Sequence, residues 1–512
     1  MSFRDEYTVG YFPGNMLNDV KEFADFYSKH YGEWSESSPL QGNVTLSVKR
    51  LRYYLDEKSF VFYARLKKDS SLIGYAIAEQ EYIDNKKKMI IWVTQFVVHK
   101  DYRNRMVGFD LLSFVWGLSD AYAWGLVTAN PYAVRALEKA TRRRCEPKII
   151  SNHLKELMNF GELYVWYIDS NTQCTVSDSI AIIDTKFQVD HSDNPERIKN
   201  VTRETPWTMG DLPEGHEWLA FVFNEQCLFS YTKMEIEHLL RTSDEITQQA
   251  YGKMNMEKQG WTKFTKEEVD YIVKKCSLRG NSRIIDVGCG YGRHVNEFNS
   301  KGYDAIGLDY SPVLIEKAKE SAKKKGLKED IFRSYDITSN KLPFTEGSFD
   351  CVVCLYDVIG SYADDAKNRM ILKNIYRLLK KKGYAVISVM NMQLTIDKAK
   401  HKFILAESSE PLLELEASKT MQKSGEVFNP DYFLIDIKEN VVYRKELFSY
   451  PGNRTIMSVV RDKRYYLDTI SQMCLEVGFN VIETSFVKAN GWKESYEYND
   501  KNAKEILLIL QK

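Results

Sequence analysis

Apolar and polar positions follow two different patterns in the two halves of the chain. The first half has an amphipathic pattern that predicts a helix over residues 16–31, and then apolar runs of strand length. The segment "PYAVRALEKATRR" predicts a helix with Pro131 in its first turn. This order is typical of a mixed α+β domain. The predicted strands are "SFVFYARL", "SLIGYAIAEQEYI", "KKKMIIWVTQFVVHK", "GLVTAN", "ELYVWYI", "SIAIIDTKF" and "EWLAFVF".

In the second half, strands and helices alternate regularly. Such alternation predicts parallel strands joined by helical crossovers, and therefore an α/β, Rossmann-like domain. After the fifth of these strands the alternation breaks over residues 392–462, and one helix and two more strands then close the chain. The five predicted strands are 283–287, 303–309, 331–336, 349–355 and 383–390.

A chain of 512 residues exceeds one ordinary hydrophobic core, so we expect several domains. We predict a first domain over residues 1–228 and a helical connector and cap over 229–280. A second domain follows over 281–512, in which 392–462 is an insertion. The insertion leaves the predicted sheet beside its ligand edge, so it is either a cover for the acceptor or a dimer element, and a homodimer stays open.

Composition narrows the function classes. Lys+Arg and Asp+Glu both number 71, which argues against nucleic acid as a partner and favours a small molecule. No apolar run approaches the roughly 18 residues of a membrane span, and the N-terminus lacks the apolar core of a signal peptide. The eight scattered cysteines are typical of reduced thiols in a cytoplasmic protein.

Metal binding is not predicted, because the eight histidines show no metal-ligand spacing. The single C-x-x-C pair, Cys351 and Cys354, lies inside a strand-like run. Residues three apart on a strand point to opposite faces, so we interpret the pair as two packed thiols.

The segment "RIIDVGCGYGRH" carries the strongest chemical signal. A buried strand that ends at Asp286 and Val287 runs into three glycines and then a helix, which is where an open parallel sheet binds ligands. The spacing is G-x-G-x-G, and Arg293 stands where a dinucleotide fingerprint has its third glycine. Acidic residues, Asp309 and Asp336, also end the next two strands.

Residues from about 245 to 512 resemble a class I S-adenosylmethionine-dependent methyltransferase. The resemblance implies a cofactor held by the glycine loop, with Asp309 on the ribose and Asp336 near the adenine. A nicotinamide cofactor is the weaker alternative. The implied cofactor-binding residues are Asp286, Gly288, Gly290, Gly292, Asp309, Tyr310, Asp336 and Ile337.

Methyl transfer mainly requires positioning, and a general base is needed only if the acceptor must lose a proton. Tyr356 and Asp357, after the fourth strand, are the catalytic candidates, and Tyr362 and Asn391 are further acceptor-side candidates. Loop capping and packing remain open for all four. A small-molecule acceptor is favoured, and a protein or RNA acceptor is the alternative.

The segment "VVHKDYRNRMVGFDLLSFVW" has the order strand, basic loop, glycine, helix, which suits a pyrophosphate. Together with "NPYAVRALEKA" it makes the first half resemble the GNAT (Gcn5-related N-acetyltransferase) family, although Met106 replaces the first glycine of the family loop. The resemblance implies acetyl-CoA as cofactor. The implied contacts are Phe96, Val98, Arg103, Arg105, Val107, Gly108 and Asn130.

Acetyl transfer to an amine needs a base and an acid. The predicted strand "MIIWVTQFVV" holds no acidic residue, and Leu137 stands where the family often has a tyrosine. Glu79 and Glu81 are the substitute candidates for the base and Tyr132 for the acid, and a surface or ion-paired role stays open for the two glutamates. The expectation is a bifunctional enzyme, and the alternative is a methyltransferase whose first half is a silent binding module.

Overall fold

The structure is a computed structural model that describes residues 3–56, 58–84, 87–116, 119–203, 205–253, 260–418, 426–450, 454–488 and 492–512. The chain divides into two compact units. The first comprises Met1–Ile246 with Phe448–Ser458, and the second comprises Thr247–Leu447 with Val459–Lys512. The division therefore falls later than residue 228, and part of the predicted 392–462 insertion groups with the first unit.

The first unit is built on one eight-stranded sheet with the order β1-β2-β3-β4-β5-β8-β7-β6. All neighbouring strands are antiparallel except β4 and β5, which are parallel. The strands are β1 (Tyr7–Pro13), β2 (Ser59–Leu66), β3 (Leu72–Ile83), β4 (Lys88–Val98), β5 (Ala123–Thr128), β6 (Cys174–Val176), β7 (Ala181–Asp184) and β8 (His216–Phe223).

Helices cover this sheet through apolar stripes. The first helix buries Phe23 and Tyr27 at helical spacing, and Asp19 caps it by accepting from the Glu22 amide. The fourth begins at Pro131, as predicted. The helices are α1 (Val20–His30), α2 (Val48–Tyr54), α3 (Val107–Trp116), α4 (Pro131–Thr141), α5 (Pro147–Asn152), α6 (Leu154–Tyr164), α7 (Asn194–Thr202) and α8 (Lys233–Lys253).

One predicted strand of the first half is wrong. The run "ELYVWYI" begins inside helix α6, which continues to Tyr164. Leu157, Phe160 and Gly161 are buried at a spacing of three and four residues, so the helical stripe begins upstream of the quoted run. Aromatic and β-branched residues at the end of this helix imitated the composition of a strand.

The second unit contains a seven-stranded sheet with the order β11-β10-β9-β12-β13-β20-β19. The first five strands in this order are parallel, and β20 is antiparallel to both of its neighbours. The predicted parallel alternation is confirmed. The strands are β9 (Arg283–Val287), β10 (Asp304–Asp309), β11 (Phe332–Ser334), β12 (Phe349–Cys354), β13 (Leu379–Met390), β19 (Asn480–Val487) and β20 (Glu505–Gln511).

The chain builds this sheet outward from β9, first through β10 and β11 on one side and then through β12 and β13 on the other. The strand order reverses between β9 and β12, and ligands of open α/β sheets bind at the carboxyl ends of such strands. Both Cys351 and Cys354 are fully buried free thiols in β12. The helices are α9 (Thr265–Lys275), α10 (Arg293–Ser300), α11 (Pro312–Lys324), α12 (Asp365–Leu378), α13 (Met392–Lys398), α14 (Glu410–Glu414) and α15 (Leu467–Val477).

Between β13 and α15 the chain forms a small separate sheet with the order β14-β16-β17-β15, and β18 pairs with β17. Its strands are β14 (Lys402–Phe403), β15 (Ala417–Ser418), β16 (Phe433–Asp436), β17 (Val441–Tyr450) and β18 (Arg454–Lys463). Among the described residues, no helix has both the length and the apolar character that a membrane crossing requires.

Candidate active site

The glycine loop after β9 has the backbone conformation that its glycines predict. Gly288, Gly290 and Gly292 have φ angles of 78°, 55° and 80°, in the left-handed region that L side chains rarely adopt. A Cβ on Gly288 would overlap Val358, and a Cβ on Gly292 would overlap Phe332. A Cβ on Gly290 would meet no atom of the described residues within 4 Å, its two chain neighbours apart. Gly290 therefore borders open space, whereas Gly288 and Gly292 must be glycine for the surrounding side chains to pack.

Asp309 at the end of β10 holds this loop in place. Its carboxylate accepts hydrogen bonds from the Gly290 amide at 2.8 Å and from the Ser311 amide at 2.8 Å. Burial, with a smaller contribution from nearby Asp286, raises the pKa of Asp309. Ser311 caps α11 and Pro312 is in its first turn, as predicted. The acidic side chain therefore lies directly beside the glycine loop.

The third predicted acid, Asp336, follows β11 and is half-buried. Its carboxylate accepts from the amide and the hydroxyl of Thr338, at 2.8 and 2.7 Å. Ile337 is buried and Tyr310 is half exposed. The sheet order places the ends of β9, β10 and β11 side by side, which brings these predicted residues to one edge.

Behind the loop lies a buried polar network that the sequence did not indicate. Glu268 of α9 is fully buried and accepts from Arg293 at 2.6 Å, from His294 at 2.9 Å and from the Tyr356 hydroxyl. These three donors lower the pKa of Glu268 against the effect of burial, which raises it. The network therefore fixes the orientations of His294 and of the Tyr356 ring.

Asp286 at the end of β9 is 3% exposed, and its Oδ2 has no hydrogen-bond partner. His294 Nδ1 lies 3.7 Å from that oxygen, beyond hydrogen-bond distance. An unpartnered carboxylate oxygen beside the glycine loop is suited to a cationic group of a ligand.

The loop after β12 is strained at two successive residues. Tyr356 and Asp357 have φ angles of 58° and 72°, which is uncommon for residues other than glycine and is frequent at functional sites. The Asp357 Oδ1 atom has no hydrogen-bond partner. Burial, and next the neighbouring Asp462, raise the pKa of Asp357 well above its usual range. Its neighbour Val358 packs on Gly288, so Asp357 adjoins the glycine loop.

Strands β17 and β18 bring a second set of buried charges that the sequence did not indicate. Arg444 donates to Glu446 at 2.7 Å and also to Asp462, and Arg464 donates to Asp462 at 2.8 Å. All four side chains are buried. Asp357 is in electrostatic contact with Arg444, Asp462 and Arg464. Part of the predicted insertion therefore lies against the predicted acceptor side.

Asn391 has a structural role in the described structure. Its Oδ1 caps α13 by accepting from the Gln393 amide at 3.0 Å. Its Nδ2 donates to the carbonyls of Tyr498 at 2.9 Å and Ala503 at 2.7 Å. The hydrogen bonds of the amide are thus used within the protein, which agrees with the capping role that the sequence left open for it. Tyr362 accepts from Asn368 through its backbone carbonyl.

In the first unit, the predicted pyrophosphate loop leads directly into α3. Met106, which stands in the place of the family's first glycine, has a φ of 67°, so it adopts a left-handed conformation. Arg103 donates from Nε to the Val98 carbonyl at 3.2 Å, and the Arg105 guanidinium lies over the Phe3 ring. Val107 is buried, and a Cβ on Gly108 would approach the Phe96 ring at 3.0 Å.

The other predicted residues of this unit lie on β3 and near α4. Asn130 caps α4 by accepting from the Tyr132 amide at 3.0 Å, and the Tyr132 side chain is 37% exposed. Glu79 is buried on β3 opposite Trp92 of β4. Beyond Val93, β4 has no pairing with β5, because the parallel register ends at Leu126.

Comparisons with known proteins agree with the second unit's geometry. A family model described as "Methyltransferase domain" matches residues 278–429. The uncharacterized methyltransferase YcgJ of Bacillus subtilis (strain 168) is 28% identical over 117 residues, which are 23% of this chain and 44% of that protein. The glycine/sarcosine N-methyltransferase of Halorhodospira halochloris is 25% identical over 138 residues, 27% of this chain and 50% of that protein.

Among solved structures, an S-adenosylmethionine-dependent methyltransferase from Clostridium acetobutylicum ATCC 824 is similar at a TM-score of 0.36 and 15% identity, covering 48% of this chain and 91% of that one. The chain spans about half the length of the curated relatives named above. Residues 278–429 thus match a methyltransferase-domain model, and the chain has methyltransferase relatives at low identity. The comparisons give no support to an acetyltransferase fusion.

Proposed function

We propose that the second unit transfers a methyl group from S-adenosylmethionine to a small-molecule acceptor. The observation that carries the proposal is the open space beside Gly290, bordered by Asp309, at the point where the strand order reverses. The methyltransferase-domain match over residues 278–429 supports it independently.

The residues present fit this cofactor. The backbone of the glycine loop would lie against its amino-acid portion, with the unpartnered Asp286 Oδ2 nearby for a cationic group. Asp309 would accept the ribose hydroxyls and Asp336 an adenine amino group. When bound, the cofactor supplies an electrophilic methyl group on a sulfonium, and the protein's part is to orient the acceptor and exclude water.

A small molecule is favoured over RNA because Lys+Arg and Asp+Glu both number 71, which leaves no basic surplus. Location in the cytoplasm and dimer formation stay predictions from the sequence.

Binding of S-adenosylhomocysteine, the demethylated product, tests the proposal without knowledge of the acceptor. Calorimetric titration of the full-length protein is expected to give saturable binding that the Asp309→Asn variant weakens about tenfold. Asp330→Asn serves as the matched control. It makes the same chemical change at an exposed position before β11, where the amino-terminal ends of the parallel strands lie.

As a second candidate function, we propose that the first unit binds an acyl-CoA. Two observations favour it. The parallel pairing of β4 with β5 ends at Val93 and Leu126, and Met106 adopts the left-handed conformation that the first glycine of the GNAT loop would supply. The backbone of β4 from Gln95 to Val98 thus lacks a partner strand on its β5 side. Titration of the full-length protein with acetyl-CoA and with desulfo-CoA tests it. The absence of saturable binding by either would leave the first unit as a silent module.

A further inference from the structure

Four carboxyl groups of the second unit are linked by electrostatic interactions, and we call them the carboxylate cluster: Asp357, Glu446, Asp462 and Glu505. Asp357 is in electrostatic contact with Asp462 and with Glu505. Glu446 is in electrostatic contact with Asp462. Asp357 comes from the loop after β12, and the other three come from β17, from β18 and from the start of β20. Because these segments are far apart in the sequence, the cluster is a product of the tertiary fold.

Within the described part of the chain, three of these carboxyl groups have an oxygen atom with no hydrogen-bond partner: Asp357 Oδ1, Glu446 Oε2 and Glu505 Oε2. Glu446 is fully buried and Glu505 is 5% exposed. Burial raises the pKa of each of these two to about 7. Buried acceptors without donors are rare in folded proteins, and they indicate a partner that the protein does not itself provide.

The arginines beside the cluster do not neutralise it. Arg464 directs its donors to Asp462, to the Thr395 hydroxyl and to the Val427 carbonyl. Arg444 donates to Asp462 and to Oε1 of Glu446. Asp462 is therefore neutralised by two guanidinium groups and Glu446 is engaged on one oxygen. Neither arginine has a hydrogen bond with Asp357 in the described structure.

Asp357 is linked to the glycine loop through its neighbour in the chain. Its chain neighbour Val358 packs directly on Gly288, the first glycine of the loop. A group held by Asp357 would therefore lie between the glycine loop on one side and β17 and β18 on the other. This is the place that an acceptor must occupy for in-line methyl transfer.

We propose that the acceptor is an amine, which enters as its ammonium ion and is held by the unpartnered oxygen of Asp357 within the carboxylate cluster. This inference rests on the proposed methyltransferase function. Burial raises the pKa of Asp357, Glu446 and Glu505, and an ammonium ion beside them would favour their ionised forms. A carboxylate acceptor would oppose that ionisation, and a neutral alcohol would leave the buried acceptors without a charged donor.

The chemistry balances with the residues present. The ammonium nitrogen gives one proton to the Asp357 carboxylate, which frees its lone pair. The nitrogen then forms a bond to the methyl carbon as the carbon–sulfur bond breaks, and the bonding pair stays on sulfur as a neutral thioether. The product leaves as a methylated ammonium ion, and the proton on Asp357 passes to solvent.

The experiment uses the full-length protein saturated with S-adenosylhomocysteine and three probes of equal length: butylamine, 1-butanol and butyrate. The affinity for each probe is measured separately by calorimetry for the wild type, for Asp357→Asn and for the control Asp330→Asn. Asparagine tolerates a φ of 72° better than most residues, so the Asp357 variant is expected to fold. Its unfolding temperature and its affinity for S-adenosylhomocysteine verify this.

We expect butylamine to bind at least about tenfold more tightly than 1-butanol, and butyrate more weakly than either. Asp357→Asn should remove this preference, and Asp330→Asn should retain it. Failure of the wild type to bind S-adenosylhomocysteine would refute the proposed function itself. Three outcomes would refute the amine assignment alone, if the wild type still binds S-adenosylhomocysteine. They are no preference for the amine, no binding of any probe, and a preference that survives Asp357→Asn.

Discussion

Replacing Gly290 by alanine separates the binding role of the glycine loop from its structural role. The residue has a φ of 55°, so an alanine there costs about 1 kcal/mol of folding free energy. Apart from its chain neighbours, a Cβ at this position would meet no atom within 4 Å in the parts of the chain that the structure describes, so we expect no added steric cost. For a unit of this size, such a loss lowers the unfolding temperature by about 2–4 °C.

Binding should respond far more strongly than stability. The added Cβ projects into the space where the loop backbone must approach the cofactor. We expect the affinity for S-adenosylhomocysteine to fall at least tenfold, about 1.4 kcal/mol, in calorimetric titrations. Gly302→Ala is the matched control, because Gly302 has a φ of 88° and also borders open space. It precedes β10, at the amino-terminal ends of the parallel strands and away from the glycine loop.

Two results would refute this reasoning. One is an affinity of the Gly290→Ala variant within twofold of the wild type. The other is an equal loss of affinity in Gly302→Ala, because that loss would come from backbone strain alone. Gly288→Ala is expected to behave differently from both, since its Cβ would overlap Val358 and destabilise the fold directly.

Three further predictions follow from individual side chains. Asn391→Ala should lower the free energy of unfolding by about 2–4 kcal/mol, because it removes a helix cap and leaves two backbone carbonyls without their donor. Urea denaturation measures this loss, and a loss under about 1 kcal/mol would contradict the prediction. Burial raises the pKa of Glu217 on β8 to about 7, so the folded state holds a proton that the unfolded state releases near its ordinary pKa of 4.5. The titration of Glu217 is therefore expected to lower the free energy of unfolding by at most about 3 kcal/mol between pH 4.5 and pH 7. Thermal unfolding across that range should show a smaller fall for Glu217→Gln than for the wild type. Identical pH profiles of the two proteins would contradict this prediction. Glu268→Gln should weaken the positioning of Tyr356, with a loss of stability that Tyr356→Phe only partly reproduces in the same unfolding assay, because Glu268 also binds Arg293 and His294.

The sequence predicts the parts of this molecule whose signals are local. The five parallel strands and the glycine loop follow from short apolar runs and from glycines at fixed spacing. The start of α4 at Pro131 and the cap at Ser311 follow from residue types that suit helix ends. The wrong strand at "ELYVWYI" arose where local composition and the longer helical stripe disagree, and the stripe prevailed.

The acceptor side is less accessible from the sequence because it is assembled from distant segments. Glu268 lies in a helix before the sheet begins, and Glu446 and Asp462 come from the insertion. A glutamate in an amphipathic helix or an aspartate in a strand gives no sign that it will be buried beside Asp357. Asn391 shows the converse, since a polar residue after a strand was available for helix capping as well as for binding.

Calorimetric titration of the 512-residue chain with S-adenosylmethionine tests the proposed methyltransferase function most directly. We expect saturable binding of one molecule per chain, which Gly290→Ala weakens and Gly302→Ala leaves intact. No saturable binding at cofactor concentrations up to about 1 mM, or binding insensitive to Gly290→Ala, would contradict it.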